Sequence, residues 1–316
     1  MKHRLPETIP EIHEELSQRM IGDPDARWER VRAGVSTRVY RITHGGGHSY
    51  LRILPEAGAT FAPEVRVHQL ARELGCRVPA VLYYEARNEM TGRSLMLTSE
   101  IPGKPLAAGD APEAVREAVR AAGRDLAKIN SIRVAGFGWV RRDISTVPET
   151  IEAERDTLSK ALDADYGRPV AALPDDAVPG IASGVLREAA QRAMRLVEES
   201  RESRLAHGDF DTSHIFVDGG RYSGIIDFGE IRGTPALYDL GHHRMHDAER
   251  LPYATLPWLL EGYREIRPLP EHAERQIWAW SVLIAVRALQ RGLQRNPASR
   301  IVATARRCLL RDANGA

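Results

Sequence analysis

Residues 205–230 read LAHGDFDTSHIFVDGGRYSGIIDFGE, and they constrain the chain more than any other stretch. Two runs suited to strands, 214–217 and 222–226, flank Asp218-Gly219-Gly220, a pattern that predicts a hairpin. His207-Gly208-Asp209 opens the unit and Asp227-Phe228-Gly229 closes it. A hairpin of this length returns both ends to one edge of a small sheet. Asp209, His214 and Asp227 are then expected at one point. Two carboxylates and an imidazole there suit a divalent metal and a proton acceptor.

HGDFDTSH followed by IIDFGE resembles the aminoglycoside phosphotransferases and the wider kinase-like small-molecule phosphotransferases. In that family His-Gly-Asp is followed, after four variable residues, by Asn or His and then by a strand ending in Ile-Asp-Phe/Trp. The resemblance runs from about residue 31 to residue 241. It implies an α+β, two-lobed, protein-kinase-like fold, with a small antiparallel-sheet N-lobe at 1–101 and a mainly helical C-lobe at 102–316. It implies that Asp209 accepts or orients the proton of an acceptor hydroxyl, and that His214 and Asp227 hold Mg²⁺. His207 and Asp239 would support the loop, Asp239 by setting its carboxylate against the loop backbone. Many relatives carry Asn where this chain has His214. The aminoglycoside 2″- and macrolide phosphotransferase branches carry His, so the resemblance is closest to them, and GIIDFG at 224–229 matches the former.

The first part of the chain supplies the nucleotide half of the expected site. Ile9, Ile12, Leu16 and Met20 lie near i, i+3, i+4 spacing and predict a helix over 6–21. From Trp28 the pattern turns to strands, with 32–36 leading into 39–42, and 50–54 following the turn His44-Gly45-Gly46-Gly47. The loop Gly34-Val35-Ser36-Thr37 offers small hydroxyl residues and backbone N–H groups to phosphate oxygens, which marks Ser36 and Thr37. Arg52 lies mid-strand and points away from the face of Leu51 and Ile53. The resemblance gives this position to the cation on the nucleotide's α and β phosphates. Protein kinases use lysine; arginine keeps the charge and adds a planar fork. A helix over 63–75 starts with Pro63 and stops at Gly75. Glu64 in its first turn is implied as the partner of Arg52. Strands at 80–85 and 94–99 complete the small sheet. At its exit, the Ser99 carbonyl and the Ile101 N–H are implied as the groups that bond the base of ATP or GTP.

Helical periodicity continues over 111–131, 185–200, 253–263, 271–291 and 299–311. Residues 135–140, AGFGWV, resemble the family's post-helix loop; 150–163 read as an acidic amphipathic helix, and 166–184 as a long Pro- and Gly-bearing loop. His242 and His246 share a helical face beside His243, yet no third metal ligand is evident.

With net charge +1 and 43% apolar residues, nothing global draws the chain to nucleic acid or membrane. Its most apolar stretch, 277–286, is too short to span a bilayer. Cys76 and Cys308 lack ligand spacing and read as reduced cytoplasmic thiols. The expected protein is a cytoplasmic, nucleotide-dependent O-phosphotransferase, monomeric or weakly dimeric, that moves a γ-phosphoryl group to an antibiotic-like small molecule, in antibiotic resistance or in metabolism. An aminoglycoside acceptor is favoured, because Asp211, Glu230, Asp247 and the 149–165 region offer carboxylates to a polyamine. A macrolide or a choline- or homoserine-like metabolite is the alternative. So is a nucleotide-binding pseudokinase, suggested by Arg52 and His214.

Overall fold

The computed structural model describes residues 10–31, 37–198 and 202–312. The chain divides into two compact units, one of residues 1–101 with 141–151, the other of 102–140 with 152–316. The excursion of 141–151 into the first unit carries no mark in the local sequence.

The first unit is built on an antiparallel sheet of order β1-β2-β3-β5-β4: β1 Arg27–Val31, β2 Arg38–His44, β3 Gly47–Ile53, β4 Val81–Glu85 and β5 Leu95–Ser99. Alternation decides its faces. Tyr40, Ile42, Leu51, Ile53, Leu95 and Leu97 form one core together with Leu16 of helix α1 (Pro10–Ile21). The opposite face packs Met96 with Leu54, Phe61 and Val65, the last from helix α2 (Ala62–Glu73). Gly75, at φ +74°, takes the left-handed conformation that ends α2. The predicted strands and helices of this unit form within a few residues of their expected ends. The lead-in at 32–36, and residues 6–9 of the expected first helix, lie outside the described residues.

The second unit joins two small sheets to a helical body. One sheet has the order β12-β11-β6, with β6 Lys104–Pro105, β11 Ile215–Asp218 and β12 Arg221–Ile225. The β11–β12 hairpin turns through Gly219 and Gly220 at φ +54° and +75°, and two successive positive values are what a tight right-twisted hairpin demands. The other sheet has the order β10-β13-β8-β9-β7, with β7 Val134–Ala135, β8 Phe137–Val140, β9 Ile151–Arg155, β10 Arg204–Ala206 and β13 Arg232–Thr234. Helices α3 Pro112–Ile129, α4 Leu158–Leu162, α5 Arg168–Ala171, α6 Ser183–Glu198, α7 Tyr238–His246, α8 Leu256–Ile266, α9 Ala273–Arg295 and α10 Arg300–Asp312 make up the body. α9 lies at its centre and packs against α6, α7 and α10. Trp278 and Trp280 of α9 are buried in the core.

Three expectations fail here. The 150–163 stretch is not one helix. Ile151 and Ala153 are buried while Glu152 and Glu154 are exposed, a period of two that makes strand β9. α4 starts only after Thr157, whose hydroxyl accepts from Lys160 N, and continues into a π turn over Asp163–Gly167. Likewise 135–140 is largely strand, and part of the expected 166–184 loop is α5.

Candidate active site

Each unit carries a cluster that the sequence marks. In the first, Arg52 on β3 forms an ion pair with Glu64 in the first turn of α2, and its guanidinium lies 5.2 Å from the Phe61 ring centroid. Glu64 is fully buried. Arg142 Nη2 stands 3.5 Å from Glu64 Oε2, and His68 Nε2 stands 3.9 Å from Oε1. Sequence reasoning missed Arg142, because it arrives from the 141–151 excursion and belongs to no local pattern. Thr37 is a half-buried bend residue before β2, and Ser36 lies outside the described residues. Ser99 ends β5 with its N–H donating to Ala80 O at 2.8 Å and its hydroxyl accepting from Ala80 N at 2.9 Å. Ile101 is the last residue of the unit's first segment and is half-buried.

In the second unit β10 delivers His207, Gly208 and Asp209. Asp239, at the start of α7 and fully buried, accepts from His207 N on Oδ2 and from Gly208 N on Oδ1, both at 2.9 Å. Asn130, just past α3, donates to the same Oδ2 at 2.8 Å and to Leu205 O at 2.9 Å. Two helices thus hold one loop. Gly208 has φ +92°, and a Cβ on it would stand 1.8 Å from Glu230 O, so only glycine fits between the loop and the segment that follows the hairpin. The His207 ring is buried with Nε2 on Ile226 O at 2.9 Å, which ties the opening of the unit to its close. Burial lowers its pKa.

His214 and Asp227 come together; Asp209 is engaged differently. His214 Nδ1 donates to the Asp209 carbonyl at 2.7 Å. A carbonyl only accepts, so in the neutral ring Nε2 carries the lone pair. That nitrogen lies 3.9 Å from Asp227 Oδ2. Asp227 is itself left-handed at φ +70°, with Oδ1 accepting from Gly229 N at 3.3 Å. The Asp209 carboxylate instead meets His242 of α7, with Nε2 3.2 Å from Oδ1. Burial would raise the Asp209 carboxyl, but the hydrogen bond and charge of His242, then His214 and His207, hold it well below the usual range. The sequence does not mark His242 as a partner for Asp209 except by its place three residues after Asp239, on the same face of the same helix.

The carboxylates expected to greet a polyamine are mostly engaged within the protein. Asp247 accepts from Thr255 N at 2.7 Å and from Leu256 N at 3.2 Å and starts α8. Asp156 pairs with Lys160, Asp163 with Arg168 and Glu154 with Arg155. Glu230 lies 3.5 Å from Arg232, a buried guanidinium 4.0 Å from the Trp139 ring centroid. Burial raises the Glu230 carboxyl even so, with Arg232 opposing. Asp211 accepts from Ser213 N at 2.6 Å; burial would raise it, but His214, His246 and that bond bring it low.

Among the described residues no group of three or more His, Cys, Asp or Glu side chains is arranged to hold a metal. His242 and His246 stack at 4.9 Å, and each ring is turned to another partner. His214 with Asp227 is a two-ligand set. Such a set leaves most of a divalent ion's shell to water and substrate phosphates, as Mg²⁺ sites do, with Asp227 as the hard oxygen ligand and the His214 imidazole as the softer one.

The model of the phosphotransferase enzyme family matches residues 27–283. The chain belongs to that family. It is accordingly a small-molecule phosphotransferase with a kinase-like α+β fold. Among solved structures, the aminoglycoside phosphotransferase APH(4)-Ia, as a ternary complex with ADP and hygromycin B, superimposes with TM-score 0.68 at 18% identity, covering 96% of this chain and 99% of that one. A putative fructosamine-3-kinase from Thermobifida fusca gives 0.61 at 17% identity, with 96% and 100% covered. The macrolide 2′-phosphotransferase MphH from Brachybacterium faecium gives 0.58 at 18%, with 93% and 96% covered. At these identities the likeness is one of fold. No curated protein sequence matches the chain. Among the described residues no helix is long and apolar enough to cross a membrane.

Proposed function

We propose that the protein transfers the γ-phosphoryl group of ATP or GTP to a hydroxyl of a small molecule, with Asp209 as the group that receives or orients the hydroxyl proton. The observation that carries this reading is the built state of the Asp209 loop. Its backbone is held by Asp239 and Asn130, and its carboxylate is held at one oxygen by His242. Phosphoryl transfer depends on positioning and charge neutralisation more than on covalent help, so a fixed carboxylate is what the reaction asks for. His214 Nε2 and Asp227 are the residues that would hold Mg²⁺, which supplies charge neutralisation on the phosphates when bound. Arg52, fixed by Glu64, is the cation assigned to the α and β phosphates, with Thr37, Ser36 and the Ser99 and Ile101 backbone as the remaining nucleotide contacts.

An antibiotic-like acceptor of the aminoglycoside class, with a role in resistance, is the reading that aminoglycoside-kinase structural neighbours and the Asp211 and Glu230 carboxylates support. The pairing of Asp247, Asp156, Asp163 and Glu154 within the protein favours a second reading, in which the acceptor is a less cationic alcohol such as a macrolide or a small metabolite. Nucleotide turnover with Mg²⁺ and ATP or GTP, measured over aminoglycosides, macrolides and small metabolic alcohols, tests both readings. Acceptor-dependent turnover supports the transferase. A melting temperature that moves with nucleotide, without turnover on any acceptor, would mark a pseudokinase instead.

A further inference from the structure

We infer that His242 is a positioning residue for Asp209, acting as an imidazolium that fixes one carboxylate oxygen and leaves the other to the acceptor hydroxyl. The inference rests on the reading of Asp209 as the proton-receiving group. Geometry sets the charge of the ring. Nδ1 lies 3.2 Å from the Phe210 carbonyl and Nε2 lies 3.2 Å from Asp209 Oδ1. Both neighbours only accept, so both contacts are favourable only when both nitrogens carry hydrogen. The ring is 6% exposed, so it has little water to turn to. Burial alone would lower its pKa, but the hydrogen bond and charge of Asp209, then the charge of Asp211, carry it upward instead.

The arrangement follows from one helix. Asp239 in the first turn of α7 takes the loop's N–H groups, and His242 three residues later takes its side chain. Backbone and carboxylate of the loop are therefore set by the same rigid element. Asp209 Oδ1 is occupied, and among the described residues Oδ2 has no hydrogen-bond partner. The surrounding charges agree with a cation here. Asp209 and Asp211 face the ring from the loop; His243 and His246 lie on its own helix, and His246 is paired with Glu249 at 2.8 Å. α8 follows Thr255, whose hydroxyl meets His243. α9 presents Trp280 to Gly241 and Ser281 to Arg244, and α10 presents Asp312 to Arg244. Burial pushes His243 down to about 4, so it stays neutral beside the charged ring.

Two variants and one titration test the role. His242→Ala should lower kcat on the order of 10-fold or more with the nucleotide KM unchanged. His242→Gln restores a donor without a titrating charge. It should keep more activity than Ala and lack the alkaline fall of kcat that deprotonation of His242 is expected to give in the parent. Wild-type kcat and pH profile in the Ala variant, or equal losses with an altered nucleotide KM in both variants, would overturn the role. The imidazole ¹H–¹⁵N titration of His242, read in the parent and in Asp209→Asn, needs no turnover. Its midpoint should lie above 6.5 in the parent and fall in the variant. An unmoved midpoint overturns the pairing. A midpoint that falls, in a protein that phosphorylates no acceptor, supports the pairing while sinking the transferase reading.

Discussion

Glu64 and Asp209 are both carboxylates held by cations, yet the two clusters are built to opposite ends. The Glu64 side chain is 0% exposed and is met by Arg52, Arg142 and His68 together. The Asp209 side chain is 44% exposed and is met by one imidazole on one oxygen. A carboxylate enclosed by several cations serves to fix those cations. A carboxylate gripped at one oxygen and open at the other can still act on something that arrives. Under the proposed function Glu64 serves stability and the placement of Arg52 while Asp209 serves the chemistry, and substitutions should separate the two.

The largest effect is expected in the first cluster. Glu64→Gln removes the charge that compensates two buried or half-buried guanidinium groups. Breaking a buried pair on one side costs about 3 kcal/mol. Urea unfolding should show that loss, and nucleotide KM should rise as Arg52 loses its anchor. A variant with parental stability would mean that the cluster is well solvated and that the contrast with Asp209 is false. Asp209→Asn comes next and should invert the pattern. Removal of a proton-accepting carboxylate lowers kcat on the order of 10²-fold or more while nucleotide binding persists. Retention of full turnover on the best acceptor would take Asp209 out of the chemistry altogether.

How much of this was legible follows from where each determinant lies in the chain. Arg52 and Glu64 were legible through the family resemblance, with strand alternation and a helix first turn placing each locally, and the structure joins them. The hairpin was readable from Asp218-Gly219-Gly220, and the meeting of His214 with Asp227 followed from it. Arg142 was not readable, since its segment leaves one unit for the other. The acidic stretch at 150–163 misled because its carboxylates suggest a solvated helical face, whereas Ile151 and Ala153 alternate in a strand. The acidic wall misled for a related reason. Sequence shows where carboxylates are but not that Asp247 caps α8 or that Asp156 is held by Lys160. Asn130 belongs to no local motif, and its two donated bonds appear only when α3 and α7 are brought together.

Asn130 offers the intermediate test. Asn130→Ala removes donors to Leu205 O and Asp239 Oδ2 and leaves both acceptors buried, at a cost of about 2 kcal/mol. Because Asp239 also sets the loop backbone, kcat should fall along with stability. A loss of stability with kcat intact would show that Asp239 alone suffices to hold the loop.

The smallest effect is a pH dependence, and it bears most directly on the contrast between the clusters. His242 has its pKa raised in the folded state, so its share of stability is full below the unfolded value of 6.5 and is lost as pH rises through the raised value. Asp209 is depressed, so its share is full above the unfolded value of 3.8 and is lost as pH falls through the lowered one. The melting-temperature gap between the parent and Asp209→Asn should therefore be widest between these two unfolded values and should narrow on the alkaline side as His242 deprotonates. Glu64 should behave otherwise, because Arg52 and Arg142 keep their charge throughout that range. The gap between the parent and Glu64→Gln should persist where the Asp209 gap closes. Thermal melts of the three proteins from acid to mildly alkaline pH measure both gaps. Parallel closure of the two would mean that a histidine, not the arginine pair, governs Glu64, and His68 at 3.9 Å would be the residue to examine.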